Sequence, residues 1–284
     1  MKNTLLSIGH GFSARAVAAQ LIPRGWRVIG TTRSAEKADA IAATGVEPVI
    51  WPGTDLSDLI ATVPAILVSA GPGPEGDPTL NAYHDQIAAV AGAKDWVGYL
   101  STTGVYGDHQ GDWVDETTPL TPSTKRGQAR VKAEARWQAI DHLPLHIFRL
   151  AGIYGPGRGP FAKVRKGTAR RIIKEGQVFS RIHVEDIAQA VVLSLSQPNP
   201  GAIYNLCDDD PAPPQDVIGH AAELLGLPLP PAVDFETAEM TPMARSFYAE
   251  SKKVRNDRAK RDLGWVPRYP DYRSGLAAMM QAET

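Results

Sequence analysis

The clearest chemical signal in the chain is carried by three small residues. Gly9, Gly11 and Ala14 fall in the run Gly9-His10-Gly11-Phe12-Ser13-Ala14, directly after the apolar stretch 4–8. Gly9 permits a sharp bend, Gly11 lets backbone approach a pyrophosphate with no Cβ in the way, and Ala14 is small enough for a helix to pack on the preceding strand. Around Phe12 and Ser13 the free N–H groups and the helix dipole then face negative charge. Any tight strand-to-helix turn favours glycine, so the weight comes from the strand and helix alternation that follows. The ligand this implies is a dinucleotide.

Other residues bear on what that dinucleotide and its partner are. The next strand ends Gly30-Thr31-Thr32-Arg33-Ser34, with no acid until Glu36. An acid at that strand end binds the ribose 2′-hydroxyl of NAD, whereas an arginine accommodates the 2′-phosphate of NADP. The expectation is NADP, with NAD as the alternative if Arg33 is a solvated loop residue. Lys163, Arg165, Lys166, Arg170, Arg171 and Lys174 form a basic run. It reads as a solvated face, or, together with Arg158 and Arg181, as a surface facing an anionic substrate group. His183 could act as a base, but Asp186 is placed to satisfy it near a helix start, which favours a structural role. Cys207 is the only cysteine and has no histidine or basic neighbour in sequence. It reads as packing, and it excludes an intrachain disulfide and a cysteine zinc site. No metal is expected.

These residues need a scaffold, and the apolar pattern supplies one. Strands are expected at 4–8, 27–31, 47–51, 64–69, 96–101 and 145–150, with helices at 35–43, 80–91 and 123–140 between them and one following the glycine turn. The stretch 64–69 is apolar on both faces, as a buried parallel strand should be. The loop after it, Ser69-Ala70-Gly71 and the glycines and prolines beyond, lies where a doubly wound sheet puts its ligand. Residues 108–122 read as a surface connection. Later elements are a strand-like piece at 181–184, helices at 185–196, 214–225 and 272–280, and a strand at 202–206. The fold class is α/β, a doubly wound parallel (Rossmann) sheet over 1–150, with a smaller substrate lobe over 151–284 from which 181–197 returns to the sheet.

With 284 residues, 43% hydrophobic and 21% charged, the chain is an ordinary globular protein. A net charge of -1 gives no reason to expect nucleic acid or a membrane surface as partner. A small molecule is the default ligand and a cytoplasmic location the expectation.

Four segments together resemble the extended and atypical branches of the short-chain dehydrogenase/reductase superfamily, the NAD-dependent epimerase/dehydratase group. They are Gly9 to Ala14, Ser101-Thr102-Thr103-Gly104-Val105-Tyr106-Gly107, Arg149-Leu150-Ala151-Gly152-Ile153-Tyr154-Gly155-Pro156-Gly157, and Arg181-Ile182-His183-Val184-Glu185-Asp186-Ile187-Ala188. The resemblance implies a Rossmann domain holding NAD(P) and a lobe that selects a substrate, often a nucleotide sugar. It also implies a tyrosine that moves a proton, a lysine four residues later that lowers its pKa and holds the ribose, and a serine or threonine that steadies the substrate oxygen. Thr102 stands at the last of these positions, with Thr103 beside the substrate. Glu134 matches the glutamate eight residues after the tyrosine, which puts Arg126 at the tyrosine position and Arg130 at the lysine position. Arginine stays protonated, so Arg126 cannot donate as the tyrosine does, while Arg130 can still hold the cofactor as a charge. Thr103 and Gly104 stand where sugar dehydratases carry an Asp-Glu pair, which argues against dehydration. Tyr106 and Tyr154 remain candidate phenols, Tyr106 being expected to pack under the site.

Two functions follow from this pattern. One is an NAD(P)-dependent oxidoreductase or epimerase with a non-standard acid/base, acting on an anionic or sugar-like small molecule. The other is a non-catalytic NAD(P) binder, a sensor or regulatory protein. A homodimer pairing 80–91 and 123–140 across a two-fold is open to either.

Overall fold

The computed structural model describes residues 3–283. Its strands are β1 (Thr4–Ile8), β2 (Arg27–Thr32), β3 (Glu47–Ile50), β4 (Ala65–Val68), β5 (Trp96–Thr102), β6 (Trp113–Val114), β7 (Leu145–Leu150), β8 (Gly152–Tyr154), β9 (Arg171–Ile173), β10 (Arg181–His183), β11 (Ile203–Leu206), β12 (Ala232–Asp234) and β13 (Lys253–Val254). The α-helices are α1 (Phe12–Leu21), α2 (Ala38–Ala42), α3 (Ser57–Thr62), α4 (Pro78–Ala89), α5 (Lys125–Gln138), α6 (Phe161–Arg165), α7 (Val184–Ser196), α8 (Pro214–Leu224), α9 (Pro242–Phe247), α10 (Asp257–Leu263) and α11 (Tyr272–Ala282).

Seven strands form one sheet in the order β11-β7-β5-β4-β1-β2-β3, every pair parallel. Successive side chains of a strand point to opposite faces, and β1 shows the result. Leu5 joins a core with Ala14, Val17 and Leu21 of α1 and Ile187 and Val191 of α7. Leu6 and Ile8 join the other core, with Ile60 of α3, Leu80 and Ile87 of α4 and Trp137 of α5. Helices thus cover both faces of a Rossmann-type sheet. The order reverses between β1 and β4, and in open α/β sheets ligands bind at that switch point, beyond the carboxyl ends of the strands.

A third core builds the C-terminal lobe from Phe161 and Val164 of α6, Val217 and Ala221 of α8, and Leu276 and Met279 of α11, with Tyr154 beneath them. Short parallel pairs, β8 with β10 and β9 with β12, link it together.

Two expectations change here. The segment 108–122 is not only a surface connection: it contains β6, whose buried Val114 pairs with Val254 of β13. The helix expected at 35–43 divides into a 3-10 turn, Ala35–Lys37, and the short α2.

Candidate cofactor and active site

At the switch point the chain leaves β1 in a turn that only glycine fits. Gly9 has φ +81, and a Cβ there would stand 2.6 Å from the backbone nitrogen of Ala70. The turn is locked from both sides. Gly9 N donates to Thr31 Oγ1 at 2.8 Å, His10 N donates to Thr31 O at 2.9 Å, and the Ser69 hydroxyl donates to Gly9 O. Ser69 N and Ala70 N both donate to Ile8 O. Gly9, Ser69, Ala70 and Gly71, far apart in sequence, therefore form one floor.

Above it α1 begins at Phe12 with Gly11 as its cap residue, no capping side chain and no acid in the first turn. Its free N–H groups and positive end are thus available to an anion. A Cβ on Gly11 would meet nothing nearer than Gly9 O at 3.7 Å, so the space before it is open. Ala14 and Ser13 are buried against the sheet. These residues fit a dinucleotide: an open backbone cradle, an uncapped helix and no competing carboxylate. His10 belongs to the frame. Its ring packs against Gly30, Nδ1 pairs with Ser7 Oγ at 3.0 Å, and burial, aided by Arg15, lowers its pKa to about 4.

The carboxyl end of β2 carries Thr32, Arg33 and Ser34. Ser34 N donates to Thr32 Oγ1 at 3.3 Å, turning the chain away. Arg33 is exposed and has no ion pair among the described residues.

Helix α5 is fixed at three points, one of them against the segment that follows β5. Thr124 caps it by accepting from Gly127 N at 3.1 Å. A Cβ on Gly127 would stand 2.6 Å from Gly104 O, so the first turn presses on the segment after Thr102. Trp137 Nε1 donates to Asp77 Oδ2 at 3.1 Å, and the same carboxylate caps α4. Arg126, Arg130 and Glu134 then follow one another down one face at a spacing of four. Glu134 lies deepest. Arg130 Nη1 donates to Leu100 O at 2.5 Å and to Tyr99 OH at 3.3 Å, while its Nη2 stands 2.7 Å from where a Gly71 Cβ would be. Arg126, at the rim, is exposed and lies over the Phe247 ring of α9 at 5.7 Å. Thr102 and Thr103 are half-buried, and Thr102 Oγ1 accepts from Gly104 N at 3.1 Å.

The structure thus brings together Gly9, Gly11, Ser69, Ala70, Gly71 and Arg130, with Thr102 on the neighbouring strand end. The remaining candidates are not all part of this cluster. Arg158 lies over the Phe12 ring at 5.5 Å. Arg181 Nη1 donates to Phe179 O and Ala212 O, and its environment is largely buried. In the basic run Lys163 and Arg165 of α6 and Lys166 and Arg170 after it are exposed, while Arg171 of β9 and Lys174 are half-buried. Asp186 does not pair with His183: its oxygens accept from Arg268 N and Tyr269 N, at 2.6 and 3.2 Å. His183 instead caps α7, Nδ1 accepting from Glu185 N at 3.3 Å, and burial lowers its pKa to about 4. Cys207 is buried, its thiol donating to Val254 O.

A buried network lies beside Thr102, at the neighbouring Ser101. Glu134, 1% exposed, accepts from Ser101 Oγ at 2.5 Å and from Arg149 Nη2 at 2.8 Å. Arg149, 3% exposed, also donates to Tyr106 OH at 2.9 Å, and Tyr106 donates to Asn205 Oδ1 at 2.7 Å. Burial works against the Arg149 charge, but the hydrogen bond and charge of Glu134 outweigh it and raise its pKa. Burial pushes the Tyr106 phenol up to about 12 and those of Tyr99 and Tyr154 higher still. The usable signal was the lone arginine in the apolar strand Leu145–Leu150, which demands a buried counter-ion.

Among the described residues no group of His, Cys, Asp and Glu could hold a metal ion, and no helix is long and apolar enough to cross a membrane.

A parallel sheet with a glycine turn at its switch point defines a Rossmann-type dinucleotide fold. Residues 84–207 match the model of the NAD dependent epimerase/dehydratase family. It is 62% identical to a functionally unknown conserved protein from Silicibacter pomeroyi DSS, covering 100% of this chain and 99% of that one with a TM-score of 0.96. It is 29% identical to Protein YeeZ of Escherichia coli K12, over 93% of this chain and 95% of that protein. At 17% identity the structure of UDP-glucuronic acid 4-epimerase from Bacillus cereus in complex with NAD shares the fold, with a TM-score of 0.78 and 99% of each chain covered.

Proposed function

We propose that this protein is an NADP-dependent oxidoreductase or epimerase of a small anionic or sugar-like substrate, with NAD as the alternative cofactor. The observation that carries the reading is the placement of Arg130: one guanidinium reaches Leu100 O, two residues before Thr102, and the Gly71 backbone beside the glycine turn. Cofactor floor and substrate-facing strand end are thereby joined by a permanent charge suited to a ribose or phosphate oxygen. Thr102 steadies the substrate oxygen, and Arg126 at the rim attracts an anionic group, having no acid partner among the described residues. Nicotinamide, when bound, supplies or accepts the hydride. Arg33, exposed at the end of β2, supports the 2′-phosphate.

Calorimetry with NADPH and NADH tests the cofactor half. NADPH should bind about tenfold tighter, the scale of one charge-assisted contact, and Arg33→Ala should remove most of that margin. Failure of all four nicotinamide dinucleotides to shift the thermal melt would remove the reading altogether. A panel of nucleotide sugars, aldehydes and ketones, followed by nicotinamide absorbance and by product analysis, tests turnover.

A second reading, a cofactor-binding sensor without turnover, is favoured by one observation. Tyr99, Tyr106 and Tyr154 are all buried with their hydroxyls hydrogen-bonded, and the rim position holds Arg126. It predicts binding with no product across the panel. Turnover gained on replacing Arg126→Tyr and Arg130→Lys together would then mark an enzyme that lost its acid.

A further inference from the structure

The loop after β8 carries an arginine to the cofactor's end of the sheet. Gly155 and Arg158 exchange backbone hydrogen bonds of 2.9 and 2.8 Å, closing a tight turn. A Cβ on Gly155 would stand 2.6 Å from Val184 Cγ1 and 3.4 Å from Phe12 Cζ, so the turn rests on the first residue of α1. The Arg158 guanidinium lies over the Phe12 ring at 5.5 Å. It is exposed and has no acid partner among the described residues. The helix end it overlies has no capping side chain and no acid in its first turn.

We propose that Arg158 clamps the pyrophosphate of the bound dinucleotide, reaching over Phe12 from the substrate lobe. This rests on the reading of the glycine turn as a dinucleotide site. A guanidinium presents a rigid fork of donors that matches two phosphate oxygens, and the helix N–H groups supply donors from the other side. The Phe12 ring holds the arginine in place by a cation–π contact before the ligand arrives, which lowers the ordering cost of binding. Arg158 stands three residues before Phe161, whose ring is part of the lobe core. A pyrophosphate held between α1 and Arg158 therefore ties the lobe to the sheet, and cofactor occupancy sets the position of the wall that meets the substrate.

The test is Arg158→Gln, which keeps the side chain's reach and removes its charge, with calorimetry against NADPH, ADP-ribose and adenosine 2′-phosphate. NADPH and ADP-ribose should weaken about tenfold, roughly 1.4 kcal/mol, while adenosine 2′-phosphate, which lacks the pyrophosphate, and the melting temperature of the free protein stay as in the parent. Phe12→Leu should weaken ADP-ribose by a smaller factor, because the charge remains but its support is gone. ADP-ribose binding within about twofold of the parent in Arg158→Gln, or an equal loss for adenosine 2′-phosphate, would overturn the clamp while leaving the dinucleotide site intact. Absence of dinucleotide binding by the parent protein would overturn both.

Discussion

The buried pair Glu134 and Arg149 gives the sharpest test of how the site is supported. Glu134→Gln preserves shape and removes the charge, leaving the Arg149 guanidinium, 3% exposed, without its counter-ion. Removing one partner of a buried pair costs about 3–5 kcal/mol, because the other charge stays desolvated. Unfolding entropy of about 2.1 cal/mol/K per residue gives about 0.6 kcal/mol/K for a chain of 284 residues, so the melting temperature should fall by about 5–8 °C. Adding Arg149→Met removes the stranded charge and keeps an apolar stem over Tyr106, whose ring the arginine now covers at 5.1 Å. What remains is the loss at two hydroxyls. Ser101 loses a charged acceptor, and Tyr106 keeps Asn205 but loses Arg149, together about 1–2 kcal/mol. The double variant should therefore be more stable than Glu134→Gln alone, in both thermal melts and urea midpoints. A double variant worse than either single one, or a drop below about 2 °C for Glu134→Gln, would refute the account of the pair as a desolvated charge balanced by its neighbour.

Three further outcomes are expected. Gly9→Ala combines a positive φ with a Cβ 2.6 Å from Ala70 N, so it should cost about 2 kcal/mol or more and abolish NADPH binding by calorimetry. Burial lowers the pKa of His10, His146 and His183 to about 4, against 6.5 when unfolded. Their stabilisation is complete above pH 6.5 and is lost as pH falls toward 4, up to about 3 kcal/mol each; the melting temperature should drop steeply across that window, and His146→Gln should flatten the drop. Asp208 has the opposite sign: burial pushes its carboxyl up to about 8 and neither oxygen has a hydrogen-bond partner among the described residues. It stabilises most below its unfolded value of 3.8 and loses that contribution as pH rises toward 8. Asp208→Asn should gain on the parent in melts between pH 5 and pH 9.

The central sheet was legible because parallel strands buried on both faces are short apolar runs, and 4–8 and 145–150 were placed to the residue. The glycine turn was legible because its backbone excludes a side chain. What escaped notice depends on partners far along the chain. Val114 is a strand residue only because Val254 lies beside it. Helix α10 buries just Ala259 and Leu263, too few apolar positions to show a period. Asp186 looked matched to His183 by proximity in sequence, yet its partners are the backbone of Arg268 and Tyr269. The contact between Arg130 and Gly71 required knowing how α5 is set against the loop after β4, which no local pattern records.

The place of β11 in the sheet also has a consequence for synthesis. When Leu150 leaves the ribosome six of the seven strands exist, but β7 still lacks its neighbour and α1 the helix that covers it. Both arrive only with residues 184–206, and 56 residues separate Leu150 from Leu206. At about 5–20 residues per second that interval lasts about 3–11 s. During it the nascent chain presents an open sheet edge and a bare apolar helix face, which is the window in which a chaperone or a neighbouring polysome chain can compete with the protein's own later half.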